Sequence, residues 1–100
     1  MVIKMTSKQR AYLRGLANNI DAIFQIGKNG INDNLIKQLN DALEARELIK
    51  ITVLETAPDS AKALSFEIAE STNSAVIQVI GNKITLFRQR KKDSKIDLPS

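Results

Sequence analysis

The chain is predicted to be an α+β domain of order αβαβαββ: a four-stranded mixed sheet with helices packed on it in an α/β two-layer arrangement. Three observations point there. Helix-period and strand-period apolar runs alternate as far as Ser74. Each helical run between strands is long enough for a parallel, right-handed crossover. Two further alternating runs, AVIQVI and KITLFR, are joined by Gly81-Asn82 in the manner of a hairpin, so the last strand returns antiparallel. At 100 residues, with 43% apolar composition, the chain is long enough for one domain with a real core and too short for two domains.

The first helix is capped by Thr6 or Ser7 and runs to about Asn19. Tyr12, Leu13, Leu16, Ala17 and Ile20 form its core stripe, and Lys8, Arg10 and Arg14 occupy its other faces. Asn18, Asn19 and Asp21 end it by competing for backbone hydrogen bonds. The first strand is Ala22-Ile23-Phe24-Gln25-Ile26, followed by a loop, Gly27-Lys28-Asn29-Gly30. Asn32 caps the second helix, which reaches about Glu47. Its inner positions are Leu35, Ile36, Leu39, Ala42 and Leu43, and its outer ones Asp33, Lys37, Asp41 and Glu44.

LIKITVL, residues 48–54, is the second strand, with Ile49, Ile51 and Val53 on one side and Lys50 and Thr52 on the other. Pro58 and Asp59 open a third helix to about Asn73, with Ala61, Leu64, Ile68 and Ala69 inward and Glu67 and Glu70 outward. All four aromatic residues, Tyr12, Phe24, Phe66 and Phe87, stand at positions that read as core. From Gln89 the chain is polar and aperiodic and reads as a disordered or partly ordered basic tail. The expected organisation is an extension over 1–5, one domain over 6–88 and the tail over 89–100.

Composition narrows the function. With no cysteine and no histidine there is no disulfide framework, no thiolate metal site and no ordinary acid-base group, so neither an enzyme nor a cofactor is expected. No apolar run is long enough to span a membrane and the first ten residues lack a signal-peptide core, so a cytoplasmic protein is expected, with a monomer as the simplest state. The net charge of +4 is segregated: residues 1–30 and 75–100 each carry +4, while 31–74 carry −4. Such separation suits a polyanion on one part of the fold.

The 27–30 loop is where that polyanion would bind. Two glycines three apart allow positive φ and close approach, Lys28 supplies charge, and the following helix N-terminus supplies unpaired N–H groups and a positive dipole end. Strand ends gather on one edge in such a sheet, bringing Lys83 beside the loop. A first helix running back along the first strand would return Lys8 and Arg10 to that edge, with Arg14 one turn down. Glu55 and Asp59 share the edge. Arg88, Arg90, Lys91, Lys92 and Lys95 leave from the opposite one, either as a second phosphate contact or as a solubilising tail.

The ordered set KQRAYLRGLANNI, IGKNGI, ALEARELIKI and QVIGNKITLFR resembles the CRM domain (chloroplast RNA splicing and ribosome maturation) in its stand-alone bacterial YhbY-like form, over residues 6–88. The resemblance implies a fold similar to the C-terminal domain of bacterial translation initiation factor three, with a KH-like GxxG loop. It also implies RNA binding, in bacteria on large ribosomal subunit precursors. Carried over by position, Gly27, Lys28, Asn29 and Gly30 match the GxxG loop, Arg10 and Arg14 match basic positions of the first helix, and Arg88 matches the basic residue closing the last strand. The chain departs from the pattern at Ala22, where members commonly have proline, and at Phe87, where tyrosine is common. The RNA site expected is therefore Gly27, Lys28, Asn29, Gly30, Lys8, Arg10, Arg14, Lys83 and Arg88, clamping structured ribosomal RNA without catalysis. Two readings stand beside it: a chromatin-type DNA-binding protein on a related fold, and a protein-interaction domain docking on an acidic partner.

Overall fold

The computed structural model describes residues 5–90, 94, 96, 98 and 99. Its elements are α1 (Ser7–Ala17), β1 (Ala22–Ile26), α2 (Asp33–Arg46), β2 (Leu48–Val53), α3 (Ala61–Thr72), β3 (Ala75–Ile80) and β4 (Lys83–Phe87). The expected order and mixed sheet are present. Strand order is β1-β2-β4-β3, with β1 and β2 parallel and β4 antiparallel to both of its neighbours, so β1, β2 and β3 all end at one edge.

Alternation along the strands creates two cores, one on each face. Ile49, Ile51 and Val53 of β2 and Ile84 and Leu86 of β4 meet Leu39 and Leu43 of α2 and Leu64 and Ile68 of α3. The intervening residues Leu48 and Phe87, with Ala75 and Ile77 of β3, meet Leu13 and Ala17 of α1. The sheet is thus flanked by helices on both faces. α1 takes the second face because Leu48 and Phe87 leave an apolar patch there that a single helical layer would expose to water.

α1 begins at a capping box, in which the Thr6 hydroxyl accepts from the Gln9 amide and the Gln9 side chain accepts from the Thr6 amide. Asn32 caps α2 as expected. α3 starts later than Pro58-Asp59 suggests: the Ser60 hydroxyl accepts from the Ala63 amide at 3.2 Å and is the cap, while Pro58 packs elsewhere. Two of the aromatic residues expected in the core are outside it, Tyr12 at 40% and Phe66 at 62% exposure. Phe66 falls outside the stripe of Ala61, Leu64, Ser65, Ile68 and Thr72 that α3 buries, and Tyr12 lies on the rim of the stripe set by Leu13 and Ala17.

Of the tail, Ile96 and Leu98 pack against the α1 core. They are held by Glu47, which is fully buried at the end of α2 with a left-handed backbone, φ 67°. Its carboxylate accepts from the Arg90 amide (2.8 Å), the Ser94 hydroxyl (2.7 Å) and the Ile96 amide (3.1 Å). Met5, assigned to the extension by sequence, joins the same core. Residues 1–4 and the tail lysines Lys91, Lys92 and Lys95 lie outside the described residues.

Candidate nucleic-acid interface

At the end of β1 the chain closes a tight turn in which the Gly30 amide donates to the Gly27 carbonyl at 2.9 Å. Lys28 and Asn29 stand at its tip, both exposed, while Gly30 is buried behind them. Gly30 has φ +61°, and a Cβ there would lie 2.9 Å from Pro58 Cγ, so both backbone and surroundings demand glycine. The segment after β2 braces the turn from behind: the Leu54 amide donates to the Ile26 carbonyl at 2.9 Å, and the Ala57 amide to the Leu54 carbonyl at 3.0 Å. At Gly27 a Cβ would meet only ordinary contacts, Thr56 Oγ1 at 3.6 Å and Leu54 Cδ1 at 3.7 Å.

Between this turn and the first turn of α2 opens a groove of about 360 Å³ whose polar walls include Gln25, Asn29, Asn32, Asn34 and Gln38. Among the described residues no carboxylate lines it. Side-chain amides, Lys28 and the free N–H groups of a helix start make a donor-rich concavity suited to phosphate and hydroxyl oxygens.

Lys83 opens β4 on the same edge. Its Nζ donates to Thr52 Oγ1 at 3.0 Å, and the Val53 amide donates to the Asn82 carbonyl at 2.7 Å, fixing the hairpin tip beside the end of β2. Thr52 pairs with Gln25 on one side and Lys83 on the other. A polar row therefore runs from the groove across β2 to Lys83, two strand spacings or about 10 Å away.

The residues of α1 are arranged differently from expectation. α1 does not run back along β1. Arg10, near its start, donates from Nη1 to the Val76 carbonyl of β3 at 2.9 Å, and just beyond its end the Ile20 carbonyl accepts from Lys50 Nζ of β2 at 3.2 Å. The helix thus crosses the sheet from β3 past β4 to β2, two strand spacings or about 10 Å, within its ~16 Å length. It lies over the starts of β2 and β3 because its apolar stripe seeks Leu48, Ala75 and Phe87 there. Lys8 and Arg10 accordingly sit toward β3, the edge opposite the 27–30 loop, and Arg10 is tied to the carbonyl beside the β3 bulge. Arg14 is exposed one turn beyond Arg10. Both lie on the flank of α1 away from Gln9 and Leu16, which face the tail, so that flank borders the open half of the sheet.

Arg88 is removed from the expected set altogether. Its guanidinium donates to Asn40 Oδ1 (2.8 Å), the Asn40 carbonyl (3.1 Å) and the Thr72 carbonyl (2.7 Å), with Glu44 Oε2 at 3.4 Å. It clamps the last turns of α2 and α3 at the end of the sheet away from the loop. The site that the structure assembles is Gly27, Lys28, Asn29, Gly30 and Lys83, with Arg14 on the neighbouring helix flank and Gln25, Thr52 and the groove amides added. Sequence reasoning missed the amides because Gln and Asn in a helix read as ordinary solvated positions. Among the described residues no group of His, Cys, Asp and Glu is arranged to hold a metal, and no helix is long and apolar enough to cross a membrane.

The sequence profile of the CRS1/YhbY (CRM) domain matches residues 5–88. The chain belongs to this family. The CRM chain is 42% identical to the probable RNA-binding protein YqeI of Bacillus subtilis, across 95% of its own length and 99% of that relative. It is 30% identical to a Haemophilus influenzae protein named RNA-binding protein, over 95% of both chains. Its fold is similar to the solution structure of the hypothetical protein SAV1595 from Staphylococcus aureus, with a TM-score of 0.80 and 52% identity, covering 96% of the CRM chain and all of the other.

Proposed function

We propose that this CRM-domain protein is a cytoplasmic RNA-binding protein that clamps structured ribosomal RNA through the 27–30 loop and acts in assembly of the large ribosomal subunit. The observation that carries the reading is the turn itself, with Lys28 and Asn29 projecting beside the start of α2 over a groove lined by side-chain amides. The relatives named as RNA-binding proteins support it. Lys28, Lys83 and Arg14 are the cations for phosphate, and Gln25, Asn29 and Thr52 are polar groups for ribose hydroxyls. Recognition then rests on backbone and shape more than on base edges.

The test is binding of large-subunit ribosomal RNA fragments and of duplex DNA of the same sequence over a salt series. With about three phosphates neutralised, log affinity should fall against log salt with a slope of roughly −2 to −3. Duplex DNA should bind much more weakly than RNA. Lys28→Ala should flatten the slope by about one unit. Affinity independent of salt, or equal for DNA, would refute the clamp. Sedimentation of lysate tests the assembly role: the protein should travel with large-subunit precursors at low salt and leave them at high salt.

A further inference from the structure

Charge and amide are separated around the 27–30 turn. Lys28 stands at its tip, while five of the chain's thirteen Asn and Gln residues, namely Gln25, Asn29, Asn32, Asn34 and Gln38, line the groove beside it. The Asn32 side-chain oxygen is taken by the Leu35 amide at the cap of α2. The side-chain amides of Gln25, Asn29, Asn34 and Gln38 have no partner among the described residues. Asn34 and Gln38 are four residues apart on α2 and so lie side by side on one face, with Leu35 as an apolar wall next to them.

A phosphate engages only the N–H half of a side-chain amide and leaves the carbonyl half idle. A nucleobase edge sets a donor beside an acceptor in one plane, a pattern that an amide complements with both halves. Among the described residues Lys28 supplies the one charge in the lining. Guanine is read best by Arg or Lys and the cytosine amine by carboxylates, so a set of amides with a single cation favours adenine, whose N6 and N7 take Asn or Gln. The groove, about 360 Å³, is within the size range of small-molecule sites, and Leu35 gives a ring face its apolar contact.

We propose that this groove holds one unpaired base of the bound RNA, adenine in preference, with its edge against Asn34 and Gln38 and its phosphate at Lys28. The inference rests on the RNA reading and adds to it: the clamp grips backbone, and one extruded nucleotide sets where along a duplex it grips. A bulge or loop supplies that nucleotide because its base is already free of pairing, whereas a paired adenine would first have to be flipped out.

The experiment measures binding of the full chain to two RNA hairpins with the same stem, one fully paired and one carrying a single bulged adenosine, over a salt series. The bulged hairpin should bind about tenfold more tightly. Guanosine, cytidine or uridine at the bulge, or a purine riboside lacking the 6-amino group, should lose most of that gain. Asn34→Ala combined with Gln38→Ala should cut the preference to less than about twofold without altering the salt slope, since no charge is removed, whereas Lys28→Ala should weaken both hairpins alike. In the isotope-labelled chain, the side-chain amide signals of Asn34 and Gln38 should shift further with the bulged hairpin than with the paired one. Equal binding of both hairpins, with the expected salt slope, would overturn the base site and leave the clamp standing; binding of neither would remove both. A preference indifferent to the identity of the bulged base, or undiminished in the double variant, would also overturn it.

Discussion

Replacing Gly30 with alanine meets two obstacles that can be measured separately. The first is the backbone: φ +61° puts an L side chain in the left-handed region, at about 1–2 kcal/mol. The second is Pro58, whose Cγ would lie 2.9 Å from the new Cβ, well inside the contact distance of carbon atoms and on a ring that cannot swing away. Relief requires moving the turn or the 54–58 segment, an overpacking cost of about 1–3 kcal/mol. Gly81 supplies the control, since it has nearly the same φ, +58°, and nothing within 4 Å of its Cβ position. Gly81→Ala should therefore cost only the backbone term of about 1–2 kcal/mol, and Gly30→Ala about 2–5 kcal/mol. Equilibrium urea unfolding followed by circular dichroism gives both values. Pro58→Ala in the Gly30→Ala background should recover the difference, as a coupling energy of about 1–3 kcal/mol. A Gly30→Ala variant no less stable than Gly81→Ala, or a double mutant without coupling, would show that Pro58 does not brace the loop.

Arg88→Ala should lower stability by about 2–4 kcal/mol through loss of the clamp on Asn40 and Thr72, with Arg88→Lys a poor substitute because an ammonium lacks the planar fork. RNA affinity measured well below the melting temperature should be unchanged, and a fall there would return Arg88 to the site. Glu47→Gln should speed amide hydrogen exchange at Arg90 and Ile96 while leaving far-ultraviolet circular dichroism unaltered; unchanged exchange would refute the tether. Ser60→Ala should cost about 1 kcal/mol in the same urea assay, and Asp59→Ala less, since Ser60 holds the cap of α3.

Periodicity exposed nearly all of the element order, because each strand buries alternate residues and each helix buries a stripe. The hairpin was legible from Gly81-Asn82, whose positive φ at the first turn position alone suits a type II′ turn. The direction of α1 was not legible. A helix that precedes the first strand is under no crossover constraint, and only the three-dimensional patch of Leu48, Ala75 and Phe87 decides where it lies. That error moved Lys8 and Arg10 away from the loop, while Lys28 and Lys83, which depend only on strand direction, came together as expected. Arg88 misled because its charge is visible in sequence and its partners, Asn40 and Thr72, are not. Glu47 likewise looked like one more acid at a helix end. Its left-handed backbone and its donors among the described tail residues emerge only when the chain returns after β4.

The strand order bears on how the chain assembles. β1, α2 and β2 form one local unit and β3 with β4 another, and the seam between them is the β2–β4 ladder, pairing Leu48 with Phe87 and Thr52 with Lys83. The sheet therefore stays split until residues 83–87 have left the ribosome, and β2 waits with one ladder unmade. Contacts so distant along the chain close slowly. Destabilising the β3–β4 hairpin should thus slow refolding, whereas changes to the tail beyond Gln89 should act mainly on the unfolding rate.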